Sequence, residues 1–214
     1  MRIYTNLLLT LLAAVFLLPQ TAQSQQTQRF KAGIIAGLTA SQIDGDLSAG
    51  YHKVGWQAGL RGVVILKEKQ QASVEILYTQ RGCRNEPKTF PLYSTTLDYI
   101  EIPVQWHYSD WLVDFGDDAD NFYRLQLSLG VSYGRLMGYN DKYEDGFGIA
   151  AALPDLNENS FSGMVGVTFY ATKHIGFTAR WHRAFNNLYK PGDGGNYESS
   201  LNEHFLAFQA MYLF

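Results

Sequence analysis

The stretch "YIEIPVQWHY", residues 99–108, alternates between apolar and polar side chains with hardly a slip. Ile100, Ile102, Val104 and Trp106 fall on one face, and Tyr99, Glu101, Pro103, Gln105 and His107 on the other. A period of two is the signature of a β-strand with one apolar and one polar face. In a soluble sandwich the apolar face turns inward; in a membrane barrel it turns outward into lipid. These ten letters fit both, so the rest of the chain must decide.

Seven further segments alternate in the same way. "FKAGIIAGLTA" (30–40) sets Phe30, Ala32, Ile34, Ala36 and Leu38 against Gly33 and Gly37. "GWQAGLRGVVIL" (55–66) sets Trp56, Ala58, Leu60 and Val64 against Gln57, Gly59 and Arg61. "ASVEILYTQRG" (72–82) sets Val74, Ile76 and Tyr78 against Ser73, Glu75, Thr79 and Arg81. "FYRLQLSLGVSYGRL" (122–136) is the cleanest, with Tyr123, Leu125, Leu127, Leu129, Val131 and Tyr133 opposite Arg124, Gln126, Ser128, Gly130, Ser132 and Gly134. "FSGMVGVTFYA" (161–171), "IGFTARWHRAF" (175–185) and the terminal "HFLAFQAMYLF" complete eight.

The polar faces separate the two environments. A soluble barrel would crowd Lys and Glu there, whereas these faces hold Gly, Ser, Thr and Gln with a few opposite charges. That composition suits a narrow barrel interior, which at eight strands is just wide enough for side chains. Ten residues at about 3.3 Å rise and about 40° tilt span a lipid band of about 25 Å. Tyr78, Trp106, Tyr123, Tyr133, Trp181 and Tyr212 lie near strand ends, where membrane barrels carry interfacial aromatics. Connections alternate as well. "KEKQQ" and "TKH" are tight, while 39–54, 83–95, 137–160 and 186–201 are long, polar and rich in Gly, Pro, Asn and Asp. Segment 109–121 is long for a turn. Pro103 forfeits a ladder hydrogen bond in a barrel that has no edge, and a β-bulge is expected there.

The 214 residues suffice for one β-domain. A net charge of −3 without a basic cluster argues against a nucleic-acid partner. Arg2 precedes "LLLTLLAAVFLL" (7–18), and Ala22 and Ser24 occupy the −3 and −1 positions of a cleavage site. This reads as a secretory signal peptide over 1–24, followed by a barrel domain over 25–214. No later apolar run is long enough for a transmembrane helix, and the single Cys83 cannot form an internal disulfide.

"FKAGIIAGL", "GWQAGLRG", "VEILYTQRG", "YIEIPVQWHY" and the terminal aromatic together resemble the PorT-like outer-membrane β-barrel family across nearly the whole mature chain. The resemblance implies an eight-stranded outer-membrane barrel, gives Pro103 a precedent within a Glu-Ile-Pro strand, and raises a role in assisting protein secretion. No motif ties this chain to that role. The terminal "FLAFQAMYLF", with Phe208, Tyr212 and Phe214 at alternate positions, also resembles the signal by which such barrels dock on the barrel assembly machinery, a form of strand addition.

Catalysis would need Ser, His and a carboxylate converging at the lipid-exposed rim. His52, His107, His174, His182 and His204 are scattered, with no Ser–His pairing visible. No catalytic residue, metal ligand or cofactor is therefore expected. Arg61, Glu75, Arg81, Glu101, Arg124 and Arg180 share the lumen-facing register. They read as a structural charge network, with a proton or ion path as the functional alternative. The acidic clusters Asp114, Asp117, Asp118, Asp120 and Asp141, Glu144, Asp145 lack the spacing of a calcium loop. "GFGIAAALPDL" (146–156) is apolar for a loop and is expected to fold over the barrel mouth or meet a partner, with "WLVDF" (111–115) a second such candidate.

The sequence thus predicts an all-β, eight-stranded antiparallel transmembrane barrel in the outer membrane, with both termini periplasmic. Its partners are membrane lipid, the assembly machinery and other envelope or secretion proteins. A structural or accessory role leads; a narrow pore or carrier and a lipid-modifying enzyme are the alternatives.

Overall fold

The computed structural model describes residues 29–46, 50–85, 93–114, 121–143, 149, 155–191 and 198–214. The expected signal peptide lies outside them. Eight strands follow in order: β1 (Phe30–Asp44), β2 (Lys53–Lys67), β3 (Gln70–Arg84), β4 (Tyr93–Val113), β5 (Phe122–Tyr143), β6 (Asn159–Tyr170), β7 (Ile175–Ala184) and β8 (Asn202–Leu213). Each pairs antiparallel with its sequence neighbour, and β8 pairs with β1 to close the ring. Closure gives every strand a neighbour on both sides, the condition a sheet must meet in lipid.

The faces lie as the alternation predicts. In β3, Glu75 is 1% exposed and the next residue, Ile76, 58%. Ile34, Leu38, Trp56, Leu60, Val104, Leu129, Val131 and Phe208 stand on the outer surface, and the buried side chains fill the lumen. Small residues let neighbouring strands close up. A Cβ on Gly59 would run into the backbone carbonyl of Ile76 on β3.

The strands outrun their sequence boundaries. β4 continues through Ser109, Asp110, Leu112 and Val113, all paired with β5, so the first part of segment 109–121 is strand rather than turn. At the other end, Tyr93–Asp98 pairs with Gly138–Tyr143, extending this hairpin beyond the alternating stretch. The end holding the β2–β3 turn, the β6–β7 turn and the C-terminus is called the turn end below, and the opposite one the loop end.

The expected bulge at Pro103 is not found. The β3–β4 register runs to Val74↔Val104 and resumes at Leu77↔Glu101 without a shift, so the ladder lapses beside Pro103 instead of bulging. A ring proline removes one donor, and the neighbouring strand tolerates that loss in place. The irregularity of β4 lies at Asp98/Tyr99, on its β5 side.

Two apolar clusters occupy the lumen. At the loop end Ile43, Cys83, Tyr93, Leu97, Tyr99, Ile149, Leu156, Leu188, Tyr189 and Leu201 pack together, with Leu136 against them. Ile149 and Leu156 come from the apolar 146–156 segment, so these two residues fold into the mouth. Toward the turn end Ile35, Val63, Leu77, Tyr170, Met211 and Leu213 form the second cluster.

Candidate functional site

Between the clusters lies a charged waist. Glu75 on β3 receives both Nη atoms of Arg180 on β7 at 2.7 Å, a bidentate pair spanning the lumen. Arg61 on β2 stands 3.6 Å from the same carboxylate, and Gln105 Nε2 on β4 donates to it at 3.0 Å. All four side chains are buried. A buried carboxylate is tolerable only with such partners, and a bidentate arginine supplies the strongest of them.

A second group sits beside it. Arg81 on β3 is 3.7 Å from Glu203 on β8, and its guanidinium lies 3.7 Å above the Tyr99 ring. The Tyr99 hydroxyl donates to Glu203 at 3.2 Å. Glu101 accepts from Ser132 at 2.8 Å, and its Oε1 stands 3.6 Å from His182 Nδ1, an ion pair only when that imidazole is protonated. His182 also stacks on Phe205, ring centroids 4.2 Å apart.

Arg61, Glu75, Arg81, Glu101 and Arg180 therefore share the waist. Arg124 does not, and its expected membership is corrected. Its guanidinium lies toward the rings of Trp111 and Phe169, 5.6 and 5.8 Å away, near the turn end. Alternation alone placed it on the inner face but gave no height along the axis. Glu203, His107, His182, Gln105 and Tyr99 complete the waist and were not singled out as its members. Their signal was present, since each occupies the inward register of its strand.

The Ser–His contact that the sequence did not reveal exists here. Ser73 Oγ and His107 Nε2 are 2.7 Å apart. Arg61 Nη2 stands 2.9 Å from the same ring nitrogen. Arginine can only donate, so Nε2 accepts from it and is not available as a base for Ser73. The group is also buried. On the outer rim at the loop end, His204 Nδ1 lies 3.4 Å and Arg183 3.7 Å from Asp44. Tyr51 meets the His204 ring edge-on and accepts from Trp181 Nε1 at 3.3 Å. This His–carboxylate pair faces outward among aromatics.

The six expected interfacial aromatics divide between the ends. Tyr78 donates to Asp98 at 2.7 Å, Tyr133 to Asn159 at 2.8 Å, and Trp181 to Tyr51, all toward the loop end. Tyr123 donates to Glu68 at 2.8 Å and Tyr212 stacks on His174, both at the turn end. Trp106 is exposed two residues from Tyr108, its partner in a tilted ring contact at 6.4 Å. Phe208, Tyr212 and Phe214 project outward from the C-terminal stretch. Trp111 and Leu112 of "WLVDF" are also exposed, Trp111 at a left-handed φ of 62°.

A cavity of about 220 Å³ opens at the turn end, lined by Lys31, Gln71, Ser109, Gln126, Tyr170 and Lys173 among others. Its floor is self-bonded, Gln126 donating to Gln71 and to Ser109 at 3.2 Å each. Among the described residues no group of three His, Cys, Asp or Glu side chains is placed to hold a metal ion. Asp117, Asp118, Asp120, Glu144 and Asp145 of the acidic clusters lie outside those residues.

With this geometry in hand, residues 21–190 match the family described as outer membrane protein beta-barrel domain. The chain belongs to that family. It is accordingly an integral outer-membrane protein, its apolar outer face in contact with lipid. No curated protein matches it. Solved structures similar to it include Ail, the attachment invasion locus protein of Yersinia pestis, at 12% identity, covering 87% of this chain and 100% of that one, TM-score 0.44. Neisserial surface protein A is similar at 12% identity, 86% and 97% coverage and TM-score 0.46. OprG of Pseudomonas aeruginosa is similar at 11% identity, 86% and 94% coverage and TM-score 0.42.

Proposed function

We propose that this outer-membrane barrel is a non-catalytic structural or accessory element of the cell envelope, working through its two ends rather than its lumen. The observation that carries this reading is the filled interior. Arg61, Glu75 and Arg180 bridge the lumen, and apolar clusters lie on both sides of them. A conducting path would have to break a buried bidentate pair and part an apolar cluster.

The PorT-like resemblance supports an accessory role in the export of surface proteins, with other envelope or secretion proteins as partners. The outward Phe208, Tyr212 and Phe214 suit docking on the barrel assembly machinery while the ring is still open. Both termini are placed in the periplasm in this reading, and the loops outside.

The test is purification from outer membranes in mild detergent, with mass analysis of what travels with the barrel. A stoichiometric envelope protein is the expected result; a bare monomer would overturn the accessory role. The rival carrier reading draws on the turn-end cavity of about 220 Å³. It requires solute-dependent swelling of proteoliposomes, and none is expected. A lipid-modifying activity would appear as lipid A of changed mass in overexpressing cells.

A further inference from the structure

We propose that the lumen mouth at the turn end is a blind binding site for a small amphiphilic carboxylate, with Lys31, Gln71 and Ser109 for its anionic group and Ile65, Phe122 and Leu213 for its apolar body. The site is the cavity of about 220 Å³ at that end. Register builds it from inward positions. Lys31 on β1 stands opposite buried Val63, Gln71 on β3 opposite buried His107, and Ser109 on β4 opposite buried Gln126.

Hydrogen-bond accounting gives the sign of the ligand. Gln126 Nε2 donates to Gln71 Oε1 and to Ser109 Oγ at 3.2 Å each. Gln71 keeps its Nε2 hydrogens and Ser109, 1% exposed, its hydroxyl hydrogen, with no acceptor for either among the described residues. The Tyr170 hydroxyl reaches Gln126 Oε1 only at 3.5 Å and the Met211 sulfur at 3.8 Å. Lys31 is partly buried, has no hydrogen bond or ion pair among the described residues, and feels the charge of Lys173, of like sign. Glu68, the acid in the lining, accepts from Tyr123 at 2.8 Å and is not among the charges that bear on Lys31. The uncommitted groups are therefore donors, one of them cationic.

Donors without acceptors call for an acceptor group. A carboxylate offers two oxygens with about four lone-pair sites and no hydrogen of its own, and its bond to an ammonium is charge-assisted. One inward ammonium among neutral donors suits a monoanion. Ile65, Phe122 and Leu213 give the same cavity an apolar wall. Its volume falls below the roughly 300–1,000 Å³ of pockets for drug-sized ligands, so the body is a short chain or a single ring. Ile35, Val63, Leu77 and Met211 of the second apolar cluster close the lumen behind it. The ligand enters and leaves by the turn end without crossing the barrel.

The experiment is isothermal titration of the purified barrel in detergent with hexanoate, and with hexanamide as the neutral molecule of the same size. Hexanoate is expected to saturate one site about tenfold tighter or more than hexanamide. Lys31→Gln removes that preference, Lys31→Arg keeps it, and Lys53→Gln at the loop end leaves it untouched, with the mobility shift of each variant verifying its fold. Equal affinities for the two probes, or an unchanged preference in Lys31→Gln, overturn the proposal. Acetate binding as tightly as hexanoate overturns the role of the apolar wall. Tighter binding of a short peptide through its C-terminal carboxylate overturns the free acid and makes the cavity a socket for a protein terminus. The accessory role is tested by co-purification, so the failure of one reading is distinct from the failure of the other.

Discussion

The charged waist and the loop-end cluster fill the same lumen by opposite means. The waist is built from strand residues alone, Arg61, Glu75, Arg81, Glu101, Arg180 and Glu203, each fixed by register. The loop-end cluster joins strand residues such as Ile43 and Leu97 to Ile149, Leu156, Leu188, Tyr189 and Leu201 from the connections. The waist is specific because every charge needs one particular partner. The cluster is tolerant because apolar contact has no direction. One face of eight strands therefore carries both a lock and a stopper, and substitutions should tell them apart.

The largest effect is expected at Glu75. Glu75→Ala leaves Arg61 and Arg180 facing each other without a counter-charge, a loss of about 4 kcal/mol by analogy with other broken buried pairs. Urea unfolding in detergent, followed by the mobility shift of the folded barrel, measures it. An unchanged midpoint would mean that the two arginines find another partner.

Leu97→Ala in the loop-end cluster should cost about 3 kcal/mol of the same stability through cavity formation, and it leaves the waist intact. The double variant Glu75→Ala/Leu97→Ala then tests whether waist and cluster are independent. Additive losses are expected, because the two residues lie in separate layers. A large coupling term would merge them into one unit.

Pro103→Ala should move stability the other way. It restores a backbone donor beside the lapse in the β3–β4 ladder, worth about 1 kcal/mol if the bond forms. A destabilised variant would show that the proline ring packs in the lumen better than its lost donor costs.

The smallest effect is expected at the exposed pair of Lys69 and Asp110, 3.3 Å apart at the turn end. The hydrogen bond to Asp110 holds the Lys69 ammonium above its usual range. Stability from that shift is present at neutral pH and lost only as pH rises through the raised value. Lys69→Gln should leave the urea midpoint at pH 7 unchanged within error, and solvent exposure is the reason.

Much of this was legible in the letters. All eight strands and their lipid and lumen faces follow from alternation, because a side-chain period of two admits only two faces. The strand ends were not legible. Tyr93–Asp98 and Gly138–Tyr143 pair above the lipid belt, where the outer face no longer has to be apolar and the pattern fades. Within the waist, Arg61, Glu75 and Arg180 could be read as one network, but Arg124 shares only their register, its guanidinium lying toward the exposed rings of Trp111 and Phe169 at another height. Axial height depends on strand stagger, which a single sequence does not display. The partnership of Arg81 with Glu203 was hidden for the same reason, since it joins β3 to β8. The apolar inward residues Ile43, Cys83 and Leu97 carried a hint of the loop-end cluster. Each interrupts an otherwise polar inner face.

The two long-range ion pairs have a consequence for how the barrel is made. Arg180 on β7 answers Glu75 on β3, and Glu203 on β8 answers Arg81 on β3. Neither contact can form between sequence neighbours. A chain that entered the bilayer strand by strand would carry Glu75 through hydrocarbon with Arg61 alone, and Arg81 without Glu203, until the last quarter of the polypeptide arrived. Insertion should therefore be concerted, with the sheet curling at the membrane surface before it crosses. A chain stopped after β6 should remain a peripheral species that carbonate extracts, not a smaller barrel.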